Sequence, residues 1–178
     1  MLKKLFIACC ALIAMSGCVS PPATSSKADR MYYDAYTYIG ANDYEASIDL
    51  LSRIIEMDAG YTDAYILRAI AYEHENLYET ARQDLLSAEE REPNNFLVHY
   101  NLGNVYLGLK DFENAVEQYT LSISLNQKHA YSYLNRASAY VTLKKWKEAL
   151  GDYRTFATLS EDQKENILKV IAILEQRV

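Results

Sequence analysis

Cysteine, proline and glycine are all scarce in this chain, at three, three and six of its 178 residues. Two of the cysteines, Cys9 and Cys10, lie inside an N-terminal apolar run, so Cys18 has no partner for a disulfide once that run is removed. The run itself, Leu5 to Ala14, is too short to cross a bilayer. Basic residues form no cluster and the net charge is −6, which makes nucleic acid a poor partner and reads as a solvated acidic surface. Histidine is limited to His74, His99 and His129, none of which pairs at i, i+4 with another ligand type, so no metal site is expected and these should be surface or partly packed. Neighbouring carboxylates such as Glu89-Glu90 and Glu161-Asp162 diverge around a helix and cannot share a proton. A phosphate-binding glycine loop and a serine elbow are both missing, so neither an enzyme nor a cofactor is expected. Half of the residues are apolar and charge content is ordinary, enough for one domain with a sizeable core and disorder only at the ends.

Tyrosine is what the chain has in excess, at 16 residues. Four of them, Tyr38, Tyr72, Tyr106 and Tyr140, stand 34 residues apart. A fixed period of that length signals stacked helix-turn-helix units, none of which can bury its apolar face alone. Companions keep the same phase. Three positions before each tyrosine is a small residue, Ala35, Ala69, Gly103 or Ala137, as close helix contact requires. Six after it is an aromatic, Tyr44, Tyr78, Phe112 or Trp146; nine after it comes Ser47, Ala81, Ala115 or Ala149. Leu51, Leu85, Tyr119 and Tyr153 follow one helical turn later on the same face. The ladder is thus expected to form the seam between the two helices of each unit.

Small residues and aromatics at these offsets resemble the tetratricopeptide repeat, with Asn101-Leu102-Gly103-Asn104-Val105-Tyr106, Ala115 and Tyr119 the nearest match to its pattern. The resemblance implies an all-α superhelical solenoid of about four units, 28–61, 62–95, 96–129 and 130–163. The family's early tryptophan is replaced by Met31, Tyr65, His99 and Tyr133, and its late proline survives as Pro93. Asp34, Arg68 and Arg136 replace a leucine, from which looser packing between the first two units is expected. Turns are expected at Gly40-Ala41-Asn42, Glu75-Asn76, Leu109-Lys110 and Leu143-Lys144. Ser160-Glu161-Asp162-Gln163 reads as a capping box opening a last helix over 162–178. Its stripe Ile167, Val170, Ile171 and Leu174 would cap the array, since an uncapped solenoid exposes its core.

Residues 1–17 read as an export signal: Lys3 and Lys4, an apolar run, then small residues at the cut. The Ser16-Gly17-Cys18 ending resembles the lipobox of bacterial lipoproteins, although Met15 stands where that motif usually has leucine. The resemblance implies lipidation of Cys18, which also removes the anomaly of an unpaired thiol in an oxidising compartment. Loss of Lys3 and Lys4 takes the net charge to −8. By the sorting rule of the lipoproteins it resembles, Val19 rather than Asp after the cysteine implies the outer membrane, and residues 18–27, with Pro21-Pro22, read as a tether on the periplasmic side. An ordinary secretory peptide that happens to end near a cysteine is the alternative.

In the tetratricopeptide family the first helix of each unit lines the concave face, and positions two, five, six, nine and twelve commonly meet a bound peptide. Carried over, the partner-binding residues are Tyr32, Tyr33, Tyr36, Ile66, Leu67, Ile70, Tyr100, Asn101, Asn104, Tyr131, Leu134, Asn135 and Ser138. None is a lysine or arginine, which disfavours a carboxylate clamp. Tyrosine offers a rigid contact with a polar tip and asparagine bonds a peptide backbone on both sides, so an apolar peptide or helix of a protein partner fits. The plainer reading is that Tyr32, Tyr33 and Tyr36 pack on the tether or cap, or fill a narrow groove. The leader and repeats together resemble pilotins and assembly factors of type IV or tight-adherence pili, which implies a secretin subunit as partner. An adaptor for cell-wall hydrolases or proteases is the rival; a small hydrolase or a structural spacer is the rival from another class.

Overall fold

The computed structural model describes residues 26–177, and within them the chain forms nine α-helices and no strand. These are α1 (Lys27–Gly40), α2 (Tyr44–Met57), α3 (Thr62–His74), α4 (Tyr78–Arg91), α5 (Phe96–Gly108), α6 (Phe112–Leu125), α7 (Ala130–Thr142), α8 (Trp146–Leu159) and α9 (Lys164–Glu175). Each helix packs on the next, and α1, α3, α5 and α7 also touch in series, which is the layout of a helical-hairpin solenoid. The leader, Cys18 and residues 18–25 of the expected tether lie outside the described residues. Helix α1 begins inside that tether: Ser26 caps it, taking the Asp29 N–H at 3.0 Å while Asp29 takes the Ser26 N–H at 3.1 Å.

One turn closes all four hairpins. Asn42, Asn76, Lys110 and Lys144 have φ of 59°, 60°, 62° and 58°, the left-handed conformation that ends a helix. Their N–H groups donate to the carbonyls of Ile39, Glu73, Leu107 and Val141, and the following N–H groups donate to Tyr38, Tyr72, Tyr106 and Tyr140 at 2.8–2.9 Å. This double closure is a Schellman motif. The backbone carbonyl of each ladder tyrosine is therefore the acceptor that fixes the hairpin. Its side chain is a lesser matter: Tyr72, Tyr106 and Tyr140 lie half-buried against the core, while Tyr38 is 40% exposed. The ladder is a seam through its carbonyls and, in the first hairpin, not through its ring.

The core follows the small-residue phase. Ala35, Ala69, Gly103 and Ala137 are buried against Leu51, Leu85, Tyr119 and Tyr153, which stand sixteen residues later and are also buried. Where that later residue is Tyr119, fully buried, a Cβ on residue 103 would sit 2.5 Å from its ring, and the chain has glycine there. The packing pair is matched in volume.

Arginine at the leucine position tightens the array instead of loosening it. Arg68 reaches Asp84 through Nε and Nη2, each at 2.7 Å, and Ser52 of the preceding hairpin through Nη1 at 2.9 Å. Arg136 repeats this with Asp152 and Thr120. The planar guanidinium satisfies one carboxylate and still has a donor left to tie two hairpins together. The other two hairpins use a different device, Asp43 and Asp111 capping α2 and α6 by accepting the N–H groups of Ala46 and Asn114. Two hairpins, not one, are thus the longer repeat of this chain.

At the C-terminal end the expected capping box does not form. Ser160 already closes α8, donating its N–H to Phe156, and its hydroxyl bonds Asp162 at 2.8 Å. Helix α9 starts at Lys164 with no side-chain cap. Its Ile167, Ile171 and Leu174 are buried with Leu150, Phe156 and Ala157 of α8, so the stripe covers the last hairpin.

Candidate partner-binding groove

Four first helices side by side make one continuous face, and its centre is a polar network between aromatic rings. Tyr119 Oη donates to Asn104 Oδ1 at 2.7 Å, and Asn135 Nδ2 donates to the same oxygen at 2.9 Å. Asn135 Nδ2 is also 3.4 Å from Tyr100 Oη, and the Tyr100 and Tyr119 ring centroids are 6.1 Å apart. Three helices, α5, α6 and α7, therefore converge on one asparagine. Burial pushes the Tyr100 and Tyr119 hydroxyls above the ordinary phenol range, so both stay protonated.

His129 stands edge-on to Tyr100 at 4.7 Å and packs on Phe96 at 5.1 Å. Its Nδ1 is 2.8 Å from Ser132 Oγ, which in turn meets Ser122 Oγ at 2.8 Å. Burial lowers its affinity for a proton, so it is neutral at pH 7 and acts as a wall of the groove. Beyond it Tyr131, 44% exposed, lies 6.1 Å from Phe156 and accepts from Gln163 Nε2 at 3.3 Å. Phe96, His129, Tyr100 and Tyr131 thus form a row of rings whose side chains have few rotatable bonds.

The thirteen sequence-derived positions separate by burial. Tyr100, Asn104, Leu134 and Asn135 are half-buried and adjoin the network; Tyr131 and Ser138 are exposed. Tyr32, Tyr33, Tyr36 and Ile70 are half-buried toward the N-terminal end, where Tyr32 leans on Tyr61 at 5.7 Å and Tyr61 donates to Asp29 at 3.0 Å. Ile66, Leu67 and Asn101 are buried: the first two belong to the core, and Asn101 spends its amide on the Leu97 carbonyl at 2.8 Å. These three brace the face from behind, because a helix that packs on both neighbours turns part of its stripe inward.

Two residues take on more than the sequence assigned them. His99 is buried, with Nε2 2.9 Å from the Pro93 carbonyl and Nδ1 3.0 Å from Gln118 Oε1, so it is a core histidine rather than a surface one. Glu73, on α3 three residues after Ile70, is the one charged residue among position twelve of the four first helices, Ile39, Glu73, Leu107 and Val141. Burial alone raises its carboxyl to about 7, and its charge pushes the Tyr100 and Tyr119 hydroxyls further up. The position rule that found Ile70 and Asn104 also reaches Glu73. Among the described residues no three of His, Cys, Asp and Glu gather as a metal site, and no helix is long and apolar enough to cross a membrane.

Tetratricopeptide-repeat family models match residues 35–96 and 96–129. Serine/threonine-protein phosphatase 5 of Mus musculus is 26% identical over 151 residues, 84% of this chain and 23% of the phosphatase. Superkiller complex protein 3 of Homo sapiens is 26% identical over 122 residues, 67% of this chain and 8% of that protein. The chain thus spans less than a quarter of these relatives' length. Among solved structures, a crystal structure of MamA superposes with a TM-score of 0.69 at 20% identity, covering 80% of this chain and 84% of that one. The first repeat domain of Spaghetti (RPAP3), bound to the HSP90 peptide SRMEEVD, superposes at 0.62 and 22% identity, covering 67% and 94%. With the recurring hairpins and their Schellman turns, these matches place the chain in the tetratricopeptide-repeat family.

Proposed function

We propose that this protein is a lipid-anchored scaffold of the bacterial envelope that holds a protein partner in the groove between α5 and α7. The fold is one that works by protein–protein contact, and the RPAP3 neighbour is bound to the HSP90 peptide SRMEEVD. The observation that carries the reading is the Tyr100–Asn104–Tyr119–Asn135 network, a fixed polar centre flanked by rings. Cys18 is the anchor, by its lipobox-like setting, and the outer membrane facing the periplasm is the place. A pilus secretin subunit is the partner favoured by the leader and repeats taken together.

A photocrosslinker at Ser138 in living cells tests both parts. Secretin subunits in the adduct support pilus assembly, and cell-wall hydrolases or proteases support the recruiting adaptor. An adduct that survives Tyr100→Ala with Asn104→Ala overturns the groove. Cys18→Ser should release the protein from the membrane fraction, and retention there overturns the anchor.

A further inference from the structure

We infer that the groove is built for a segment carrying a lysine or arginine, whose cation lies against Glu73 while its apolar flanks rest on Tyr100 and Tyr131. The inference rests on the groove reading and names its occupant's chemistry. At positions two, five, six, nine and twelve of the four first helices there is no lysine or arginine, and the charged residues are Asp29, Asp63 and Glu73. The two aspartates stand at the outset of α1 and α3, where a helix N-terminus already favours negative charge. Glu73 is in the last turn of α3, where the helix end disfavours it, yet it lies in the middle of the array.

Glu73 is half-buried, and the groups that feel its charge from the packed helices are phenols, Tyr100 on α5 and Tyr119 on α6. Among the described residues no cation offsets the desolvation, and burial lifts its carboxyl to about 7. A carboxylate held this way is held at a cost, and a ligand cation is the group that removes it. The surroundings add aromatic faces, which also attract ammonium and guanidinium groups, and asparagine amides that bond the ligand backbone. Residues 28–95 carry 15 acidic against 5 basic side chains, so the field of this half of the array draws a cationic segment in. A peptide such as SRMEEVD, whose one arginine is outnumbered by three acids, would meet the wrong sign here.

The test is an array of ten-residue peptides with leucine-rich flanks and one central position fixed as Lys, Arg, Leu, Gln or Glu, probed with the full-length protein. Lys and Arg peptides should bind about tenfold more strongly than the Leu, Gln and Glu ones, the gain of one desolvated ion pair. Glu73→Gln should level the series and Glu73→Lys should turn the preference toward Glu, with melting curves confirming that both variants are folded. A Lys or Arg preference that persists in Glu73→Gln overturns the assignment to this carboxylate. Binding by the wild type with no preference at the central position overturns the cation reading and leaves the groove standing. Failure to bind any peptide, matched by Tyr100→Ala, overturns both.

Discussion

Arg68 meets Asp84 fork to fork, Nε on Oδ2 and Nη2 on Oδ1, each at 2.7 Å, with both side chains largely withdrawn from water. The pair recurs in Arg136 and Asp152, while the intervening first helix carries Leu102 at the arginine's phase and α2 carries Leu50 at the aspartate's. The fold thus accepts leucine at either place. Asp84→Ala should cost roughly 3–5 kcal/mol in urea unfolding, because it leaves a buried guanidinium without its partner. The double change Arg68→Leu with Asp84→Leu should recover most of that loss, to within about 1 kcal/mol of wild type, since two charges are then never desolvated. Equal losses in the single and double variants would show that the bridge, not the stranded charge, sets the stability.

Gly103 and Tyr119 form a lock-and-fit pair. A Cβ on residue 103 would stand 2.5–2.7 Å from three atoms of the Tyr119 ring, and that ring is held by its hydroxyl on Asn104. Gly103→Ala should therefore destabilise by about 1–3 kcal/mol, although alanine normally favours a helix over glycine. Adding Tyr119→Leu reproduces the Ala69 and Leu85 arrangement of the preceding hairpin, and the pair should be more stable than the sum of the single changes. Thermal unfolding of the four species in the cycle measures the coupling.

Lys110 and Lys144 sit at φ of 62° and 58°, a conformation that costs a side chain with a Cβ about 1 kcal/mol and costs glycine nothing. Lys110→Gly should raise the unfolding free energy by roughly 0.5–1 kcal/mol, read as a higher midpoint in urea. The same change at Asn42 should gain less, because asparagine tolerates this region.

The sequence carried the hairpins because a 34-residue period of size and aromaticity is written into single positions. The turns followed, since Gly40, Asn42 and Asn76 are residues that break helices. What stayed hidden depended on pairs. Arg68 in a leucine slot reads as a defect until Asp84 and Ser52 are seen around it, sixteen residues away in either direction. Ser160 looked like the start of α9, and its backbone was already engaged in closing α8. Within the groove, Tyr100, Asn104 and Asn135 could be placed by phase, but Tyr119 enters from α6 and no rule about first helices points to it. Burial separated Asn101 from Asn104, which the sequence treats alike.

Glu73 also writes a signature into stability against pH. Its folded-state affinity for a proton is raised to about 7 from an ordinary 4.5, so between these values the native state holds a proton that the unfolded chain has lost. Stability must then fall as pH rises from about 4.5 to about 7, and the full loss persists above. Glu73→Gln keeps the shape and removes the titration. It should be nearly neutral at pH 4.5 and stabilise the protein at pH 8, by on the order of 1–3 kcal/mol once partial contact with water is allowed for. Urea unfolding of both proteins across this range checks it. A difference between them that does not grow with pH would mean that Glu73 is solvated, and a lysine peptide would then have no desolvated charge to relieve.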